Sequence, residues 1–177
     1  TGLACGLVNG LLVGKAKLAA FVATLGMMYV AEGVALLANG GQPVEILTSS
    51  ADSFFLIGGG YLGPIPIPVI IAIVVGLLLH VFLTRTRTGR HIYAVGGNAE
   101  AARLSGIDIS KVKILVHALS SVLCAAGSII LSARIMSGQP TLGGDLNSQS
   151  LGAAVIGGTA LTGGRGGILQ TVVGVLF

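Results

Sequence analysis

The chain has 177 residues, of which ten are basic and six acidic, so only 9% carry a charge. A soluble globular domain has about 25% charged residues, which would be roughly 44 here. Water does not solvate a surface with so few charges, so the composition excludes soluble enzymes, disordered tails and nucleic-acid-binding modules. The 29 glycines are more than twice the roughly 12 that average usage gives, and glycine is frequent in transmembrane helices. The sequence is that of an integral membrane protein surrounded by the lipid bilayer.

The first apolar stretch covers residues 1–14 and is too short to cross the hydrocarbon core, which needs about 20 residues. We interpret it as a partial span whose start is missing. Its glycines recur every four residues, share one helix face and favour close helix packing. These helix-packing candidates are Gly2, Gly6, Gly10 and Gly14.

Three complete spans follow in the sequence, at residues 18–38, 65–83 and 114–133. Each is about as long as a transmembrane helix must be. The first contains a single charge, Glu32. The mixed stretch at residues 44–64 is interpreted as a connection outside the membrane.

The last part of the chain leaves two alternatives open. Residues 146–164 are apolar but interrupted by glycines. They form either a span that ends near Arg165 inside the cell, or a broken, re-entrant helix that turns within the protein, where irregular backbone is tolerated. A second partial span is predicted at 168–177, so we expect a single transmembrane domain over 1–177 that is a fragment truncated at both ends.

Basic residues indicate the orientation of the spans, because cytoplasmic loops carry an excess of Lys and Arg. One cluster is Lys15 and Lys17, and a larger one lies in the segment 85–113. If the first cluster is cytoplasmic, the chain crosses the membrane twice, at 18–38 and 65–83, before it reaches the second cluster. The second cluster is therefore on the cytoplasmic side as well. Residues 39–64 and 137–145 then lie outside.

The segment 85–113 contains a short predicted helix. Asn98 is a good N-cap, Glu100 and Arg103 suit the two ends of the helix dipole, and Gly106 is a natural C′ residue. A helix of about seven residues is far below the roughly 12–15 residues at which isolated helices become marginal in water. It therefore needs a surface, either its own membrane domain or a cytoplasmic partner.

Four runs of the sequence resemble the permease subunits of ribose-type bacterial ABC sugar importers. They are NGLLVGKAKLAAFVATLGMMYVAEGVALLANGGQP, TGRHIYAVGGNAEAARLSGI, KVKILVHALSSVLCAAGSIILSARIMSGQPTLG and AAVIGGTALTGGRGGILQTVVG. The resemblance extends from about Leu7 to Phe177. It implies an all-α polytopic transmembrane helical bundle in the bacterial inner membrane.

The resemblance also implies partners and roles. Such permeases pair with a second permease subunit, as a homo- or heterodimer, bind a cytoplasmic ATPase subunit and receive sugar from a periplasmic sugar-binding protein. The chain would have no catalytic residues, metal or cofactor of its own, with ATP-Mg held by the ATPase. The family's short cytoplasmic helix transmits ATPase movement, which implies coupling roles for Asn98, Glu100, Ala101, Ala102, Arg103, Leu104, Ser105 and Gly106.

A sugar is a neutral polyol, so its path needs hydroxyl, amide and backbone partners, and polar residues in membrane segments are candidates. Glu32 is one, although its position six residues before Ala38 favours the outer interface as the alternative. The full set of candidates is Glu32, Gln139, Thr141, Asn147, Thr159, Thr162 and Arg165.

Three other functions compete with sugar import. A branched-chain amino-acid ABC permease is a related possibility, although the form GGNAEAARLSGI favours the sugar branch. An ion-coupled secondary transporter is disfavoured because no span carries a convincing carboxylate relay. A structural membrane anchor without transport is the third alternative.

Overall fold

The computed structural model describes residues 1–46 and 51–176, and within these ranges the chain is mostly helical. The strands there are two two-residue ladders, one pairing β1 (Val44–Glu45) with β4 (Ser137–Gly138) and one pairing β2 (Tyr61–Leu62) with β3 (Ile65–Pro66). The helices in the described ranges are α1 (Gly2–Gly14), α2 (Ala20–Asn39), α3 (Ala51–Gly59), α4 (Ile67–Arg85), α5 (Arg87–Gly97), α6 (Ala99–Leu104), α7 (Ile109–Ile135), α8 (Gly144–Ile156) and α9 (Ile168–Leu176).

Three of these helices, α2, α4 and α7, are long and apolar enough to cross a membrane. At 1.5 Å per residue, a helix of 20 residues spans about 30 Å, the thickness of the hydrocarbon core. Their apolar side chains are largely exposed, as in Phe21, Leu37 and Leu77, which suits contact with lipid. The all-α membrane fold expected from the sequence is confirmed.

The boundaries of the helices differ from the boundaries of the apolar segments in the sequence. α7 begins at Ile109 rather than at residue 114, because Asp108 caps it and its first turns carry Lys111 and Lys113. Hydropathy detects only the apolar part of a helix that continues beyond the membrane. For the partial span predicted at 168–177, α9 is described to Leu176, and Phe177 lies outside the described residues.

Glycines on α1 pack against α7. A Cβ placed on Gly10 would lie 2.7 Å from the Cα of Ile114, and one on Gly6 would lie 2.8 Å from the carbonyl oxygen of His117. The order of the contacts is reversed along the two helices, since Gly2 meets Ser121 and Gly14 meets Ser110, so the helices are antiparallel. All four glycines of the predicted stripe lie at this interface.

Two long-range contacts mark the ends of the helices. At one end the Ser110 hydroxyl donates to the carbonyl oxygen of Gly14 at 2.8 Å. This contact joins the neighbourhoods of the two basic clusters, and we call it the basic end. At the other end, β1 pairs with β4 in the register Val44 opposite Gly138. The two connections predicted to lie outside therefore meet away from the basic end.

The connection predicted between residues 44 and 64 contains a helix that the sequence analysis missed. α3 ends in Gly58 and Gly59 and packs against α7 and α4. A Cβ on Gly58 would overlap the backbone nitrogen of Arg134, and the neighbouring Ala133 is fully buried. A nine-residue helix has little stability alone, so α3 depends on a tertiary contact that hydropathy does not reveal.

The start of α7 depends on an ionised carboxylate. The backbone N–H of Lys111 donates to Oδ1 of Asp108 at 3.1 Å, and this bond holds the pKa of Asp108 below its ordinary value of 3.8. Because the pKa of Asp108 is lowered in the folded state, the ionised carboxylate stabilises that state at pH values above its ordinary pKa. This stabilisation is lost as the pH falls through the folded-state pKa.

We therefore expect the Asp108→Asn variant to melt at a lower temperature than the wild-type protein at neutral pH. The reason is that a charged carboxylate accepts a stronger hydrogen bond from the N–H of Lys111 than a neutral amide does. The difference should shrink as the pH falls below 3.8, the ordinary value. Melting temperatures of both proteins in detergent, measured across this range, test it. A difference that does not change with pH would contradict the role given to the carboxylate.

Candidate functional site

The short helix predicted at the basic end is α6, and both of its ends are capped. Oδ1 of Asn98 accepts a hydrogen bond from the backbone N–H of Ala101 at 3.0 Å, as the sequence predicted. At the other end Gly106 has a φ of +83°. The N–H groups of Gly106 and Ile107 donate to the carbonyls of Arg103 and Ala102, each at 3.0 Å, which is the Schellman arrangement. The helix has six residues, one fewer than the approximate length predicted.

The surface of α6 is almost fully exposed. Of the eight predicted coupling residues, only Ala102 is buried. Leu104 is 81% exposed although it is apolar. Glu100 and Arg103 form an ion pair at 2.5 Å in which about two thirds of each side chain remains exposed (64% and 65%). The described part of the chain therefore covers one residue of α6 and leaves an apolar side chain beside a charge pair.

α5 positions α6 relative to the long helices. The Thr86 hydroxyl accepts a hydrogen bond from the N–H of Gly89 at 3.0 Å, which caps α5 directly after α4. A Cβ on Gly89 would overlap the carbonyl oxygen of Leu83, so the turn between the two helices requires glycine. α5 was not predicted from the sequence, and in the structure its more buried positions recur every three or four residues, the helical spacing.

The glycine-rich turn, residues 157–167, lies against α5. The Tyr93 hydroxyl donates to the carbonyl oxygen of Gly166 at 2.8 Å. A Cβ on Gly96 would lie 2.5 Å from the backbone nitrogen of Gly164. Because α5 is at the basic end, the turn lies at that end, while α8, with 13 residues, is shorter than the about 20 residues that a complete span needs.

The predicted path residues lie in three separate places. Glu32 is half-buried within α2. The others are divided between the connection around β4 and the start of α8, which holds Gln139, Thr141 and Asn147, and the glycine-rich turn, which holds Thr159, Thr162 and Arg165. Within residues 1–46 and 51–176 the fold does not bring these seven side chains together.

Asn9 is a polar residue of α1 that the sequence analysis did not select. It is 6% exposed, and its Oδ1 has no hydrogen-bond partner among the described residues. A buried polar group without a partner costs free energy, and more so in an apolar environment. The sequence did contain a signal for Asn9, because it is a lone amide side chain within the uncharged stretch 1–14.

A cavity of about 310 Å³ lies beside the glycine-rich turn. Its lining combines the end of α4 with His80 and Thr84, α5 with Tyr93, and the start of α9 with Gln170. The cavity therefore adjoins the Tyr93–Gly166 hydrogen bond and separates the turn from α4.

Comparison with known proteins places the chain in a family. Residues 1–177 match the family described as "Branched-chain amino acid transport system / permease component". The chain belongs to this permease family. No solved structure matches the chain.

Three similar curated proteins are permeases named for a sugar. The chain is 41% identical over 169 residues to the ribose import permease protein RbsC of Bacillus subtilis, covering 96% of this chain and 52% of that protein. It is 43% identical over 177 residues to RbsC of Escherichia coli K12, covering 99% and 55%. It is 36% identical over 170 residues to the L-arabinose transport system permease protein AraH of the same strain, covering 96% and 51%.

These comparisons confirm the resemblance to ribose-type permeases that the sequence motifs indicated. The chain spans about half the length of the curated relatives it matches. The description of the family names amino-acid transport, whereas these relatives are named for ribose and arabinose. Membership of the permease family, together with the apolar helices, shows that this is a membrane protein.

Proposed function

We propose that this chain forms part of the membrane-spanning permease subunit of an ATP-driven importer for a monosaccharide, a ribose-like pentose or a related sugar. The observation that carries the proposal is the 41–43% identity to ribose import permeases along nearly the whole chain. The arabinose permease, at 36% identity, supports a sugar rather than an amino acid as the substrate.

In this proposal α6 is the docking element for a cytoplasmic ATPase subunit, which binds ATP-Mg and hydrolyses it. Its support is the exposure of seven of the eight coupling residues, above all Leu104. A short helix gains stability from the surface it docks on, and the described chain covers only Ala102. ATPase closure would displace α6 and, through the connection at 105–108, tilt α7.

The complete importer would contain a second permease subunit and a periplasmic sugar-binding protein, in the bacterial inner membrane. The binding protein would supply most of the discrimination between sugars. The path candidates at the two ends of the helices and Glu32 in α2 are proposed as polyol contacts, because hydroxyl and amide groups can exchange hydrogen bonds with a neutral sugar.

Uptake in cells that carry the gene and its transport partners tests this function. We expect accumulation of radiolabelled ribose or another pentose that is lost on ATP depletion by arsenate and on deletion of the gene. A binding-protein-deficient strain should lose uptake as well.

Three outcomes of that experiment would contradict the proposal. Accumulation of leucine instead of a pentose would indicate an amino-acid permease. Uptake that a protonophore abolishes but ATP depletion does not would indicate a secondary transporter. Unchanged sugar uptake after deletion of the gene would indicate a membrane protein without a transport role.

A further inference from the structure

We propose that α6 also acts on the α8–α9 hairpin, through a direct backbone contact between α5 and the glycine-rich turn. We call it the glycine contact: Gly96 and Gly97 of α5 against Gly163 and Gly164 of the turn. Tyr93 and Gly96 are then positioning residues for transport. This inference rests on the proposed function, because the movement transmitted is the one that an ATPase imposes on α6.

The glycine contact adjoins α6 along the chain. Gly96 and Gly97 are the last residues of α5, and the next residue, Asn98, is the N-cap of α6. One extended residue therefore separates the coupling helix from the contact. A displacement of α6 therefore has only this one residue to cross before it reaches Gly97.

The contact itself is backbone against backbone. A Cβ on Gly96 would lie 2.5 Å from the nitrogen of Gly164, and a Cβ on Gly164 would lie 2.5 Å from the Cα of Gly97. A side chain at an interface can absorb displacement by changing rotamer, whereas packed backbones cannot. Movement of the end of α5 therefore moves the turn.

A hydrogen bond also joins α5 to the glycine-rich turn, and it opposes their separation. The Tyr93 hydroxyl lies one helical turn before Gly96 and Gly97 and donates to the carbonyl oxygen of Gly166 at 2.8 Å. The glycine contact resists approach of α5 to the turn, and the hydrogen bond resists their separation. Together they transmit movement of α5 toward the turn and movement of α5 away from it.

The turn passes movement on because it is closed and tightly joined to both of its helices. The N–H of Ala160 donates to the carbonyl of Arg165 at 3.1 Å, which closes the turn. A Cβ on Gly174 of α9 would overlap the carbonyl oxygen of Ala153 of α8, so these helices also touch through backbone. The hairpin therefore moves as a unit.

Two neighbouring glycines make a matched pair for the test. Gly96→Ala forces the glycine contact apart, whereas a Cβ on Gly97 has nothing within 4 Å, so Gly97→Ala changes the same helix end without a clash. Each variant is made in the complete gene product, assembled with its ATPase and binding protein. The turn carries a nitroxide at Leu161→Cys, which is 76% exposed and is not one of the path candidates, in a background lacking Cys5 and Cys124.

In wild-type protein and in Gly97→Ala we expect ATP to change the nitroxide spectrum. In Gly96→Ala that change should be lost, although the ATPase still co-purifies and hydrolyses ATP. Sugar transported per ATP hydrolysed should fall about tenfold, which corresponds to about 1.4 kcal/mol.

A second variant keeps the test valid if Gly96→Ala does not fold. Tyr93→Phe removes only the hydroxyl that bonds to Gly166 and should lower the same ratio about two- to tenfold, the usual range for one hydrogen bond. Tyr61→Phe, at an exposed tyrosine of β2, is its control and should leave the ratio unchanged.

The outcomes separate the two proposals. Wild-type-like spectra and transport ratios in both Gly96→Ala and Tyr93→Phe would overturn the glycine contact as a route, while wild-type sugar uptake would leave the proposed function standing. A wild-type transporter whose turn responds to ATP but which takes up no sugar would overturn the proposed function alone.

Discussion

Replacing Gly10 by leucine should separate α1 from α7 and leave little folded protein in the membrane. Even a methyl group at this position would come within 2.7 Å of the Cα of Ile114, and backbone cannot move aside as a side chain can. Overpacking typically costs about 1–3 kcal/mol, occasionally more. Leucine adds three further carbons to that methyl, so we expect an effect at or above the upper end.

Gly26 and Gly33 of α2 provide the matched control. A Cβ on either has nothing within 4 Å, and glycine in a helix is about 0.5–1 kcal/mol less favourable than alanine. Gly26→Leu and Gly33→Leu should therefore leave the melting temperature unchanged or raise it, opposite in sign to Gly10→Leu. Thermal unfolding in detergent, followed by size-exclusion chromatography, measures all three. Equal melting temperatures would refute close packing as the reason for glycine at position 10.

Loss of the exposed apolar side chain of α6 should weaken the ATPase complex strongly. Burying a leucine side chain is worth about 1.5–3 kcal/mol, so Leu104→Ser should weaken binding of the ATPase about 10- to 100-fold. Leu62→Ser is the control, because Leu62 is also exposed (69%) but lies in β2. Co-purification and titration of the ATPase in detergent distinguish the two variants.

Charge exchange on α6 tests the same surface without removing apolar area. Swapping Glu100→Arg together with Arg103→Glu keeps an oppositely charged pair at the same spacing but reverses both charges relative to a partner and to the helix dipole. We expect reduced ATPase docking with normal amounts of permease in the membrane. Undiminished co-purification together with normal sugar-stimulated turnover would contradict the assignment of α6 to coupling.

The sequence was sufficient to predict features whose cause is local. The caps of α6 are an example, because Asn98 and Gly106 act on backbone groups within three or four residues of themselves. The three complete spans are another, since the apolar length that crosses a bilayer is a property of each segment alone. The glycine period of α1 likewise revealed a face, although not that α7 would lie on it.

The path candidates show where sequence reasoning stopped. Each was chosen because its side chain is polar and lies in or near a membrane segment, but whether such residues share a path depends on which segments meet. Gln139 and Thr162 lie in different parts of the structure, near β4 and in the glycine-rich turn. Asn9 was passed over although it is a lone amide in the uncharged stretch 1–14, because its burial depends on how α1 packs.

The sequence by itself determined that this is a polytopic helical membrane protein, through the scarcity of charge and the lengths of the apolar segments. It also determined that a capped helix lies by the largest cluster of basic residues. Only the tertiary structure decided that α3 exists, that α7 receives the glycine face of α1, and that the glycine-rich turn rests on α5. The physical reason is that capping and hydropathy act within a few residues, whereas α3 and the turn are held by backbone contacts between residues far apart in the chain, such as Gly58 with Arg134 and Gly96 with Gly164.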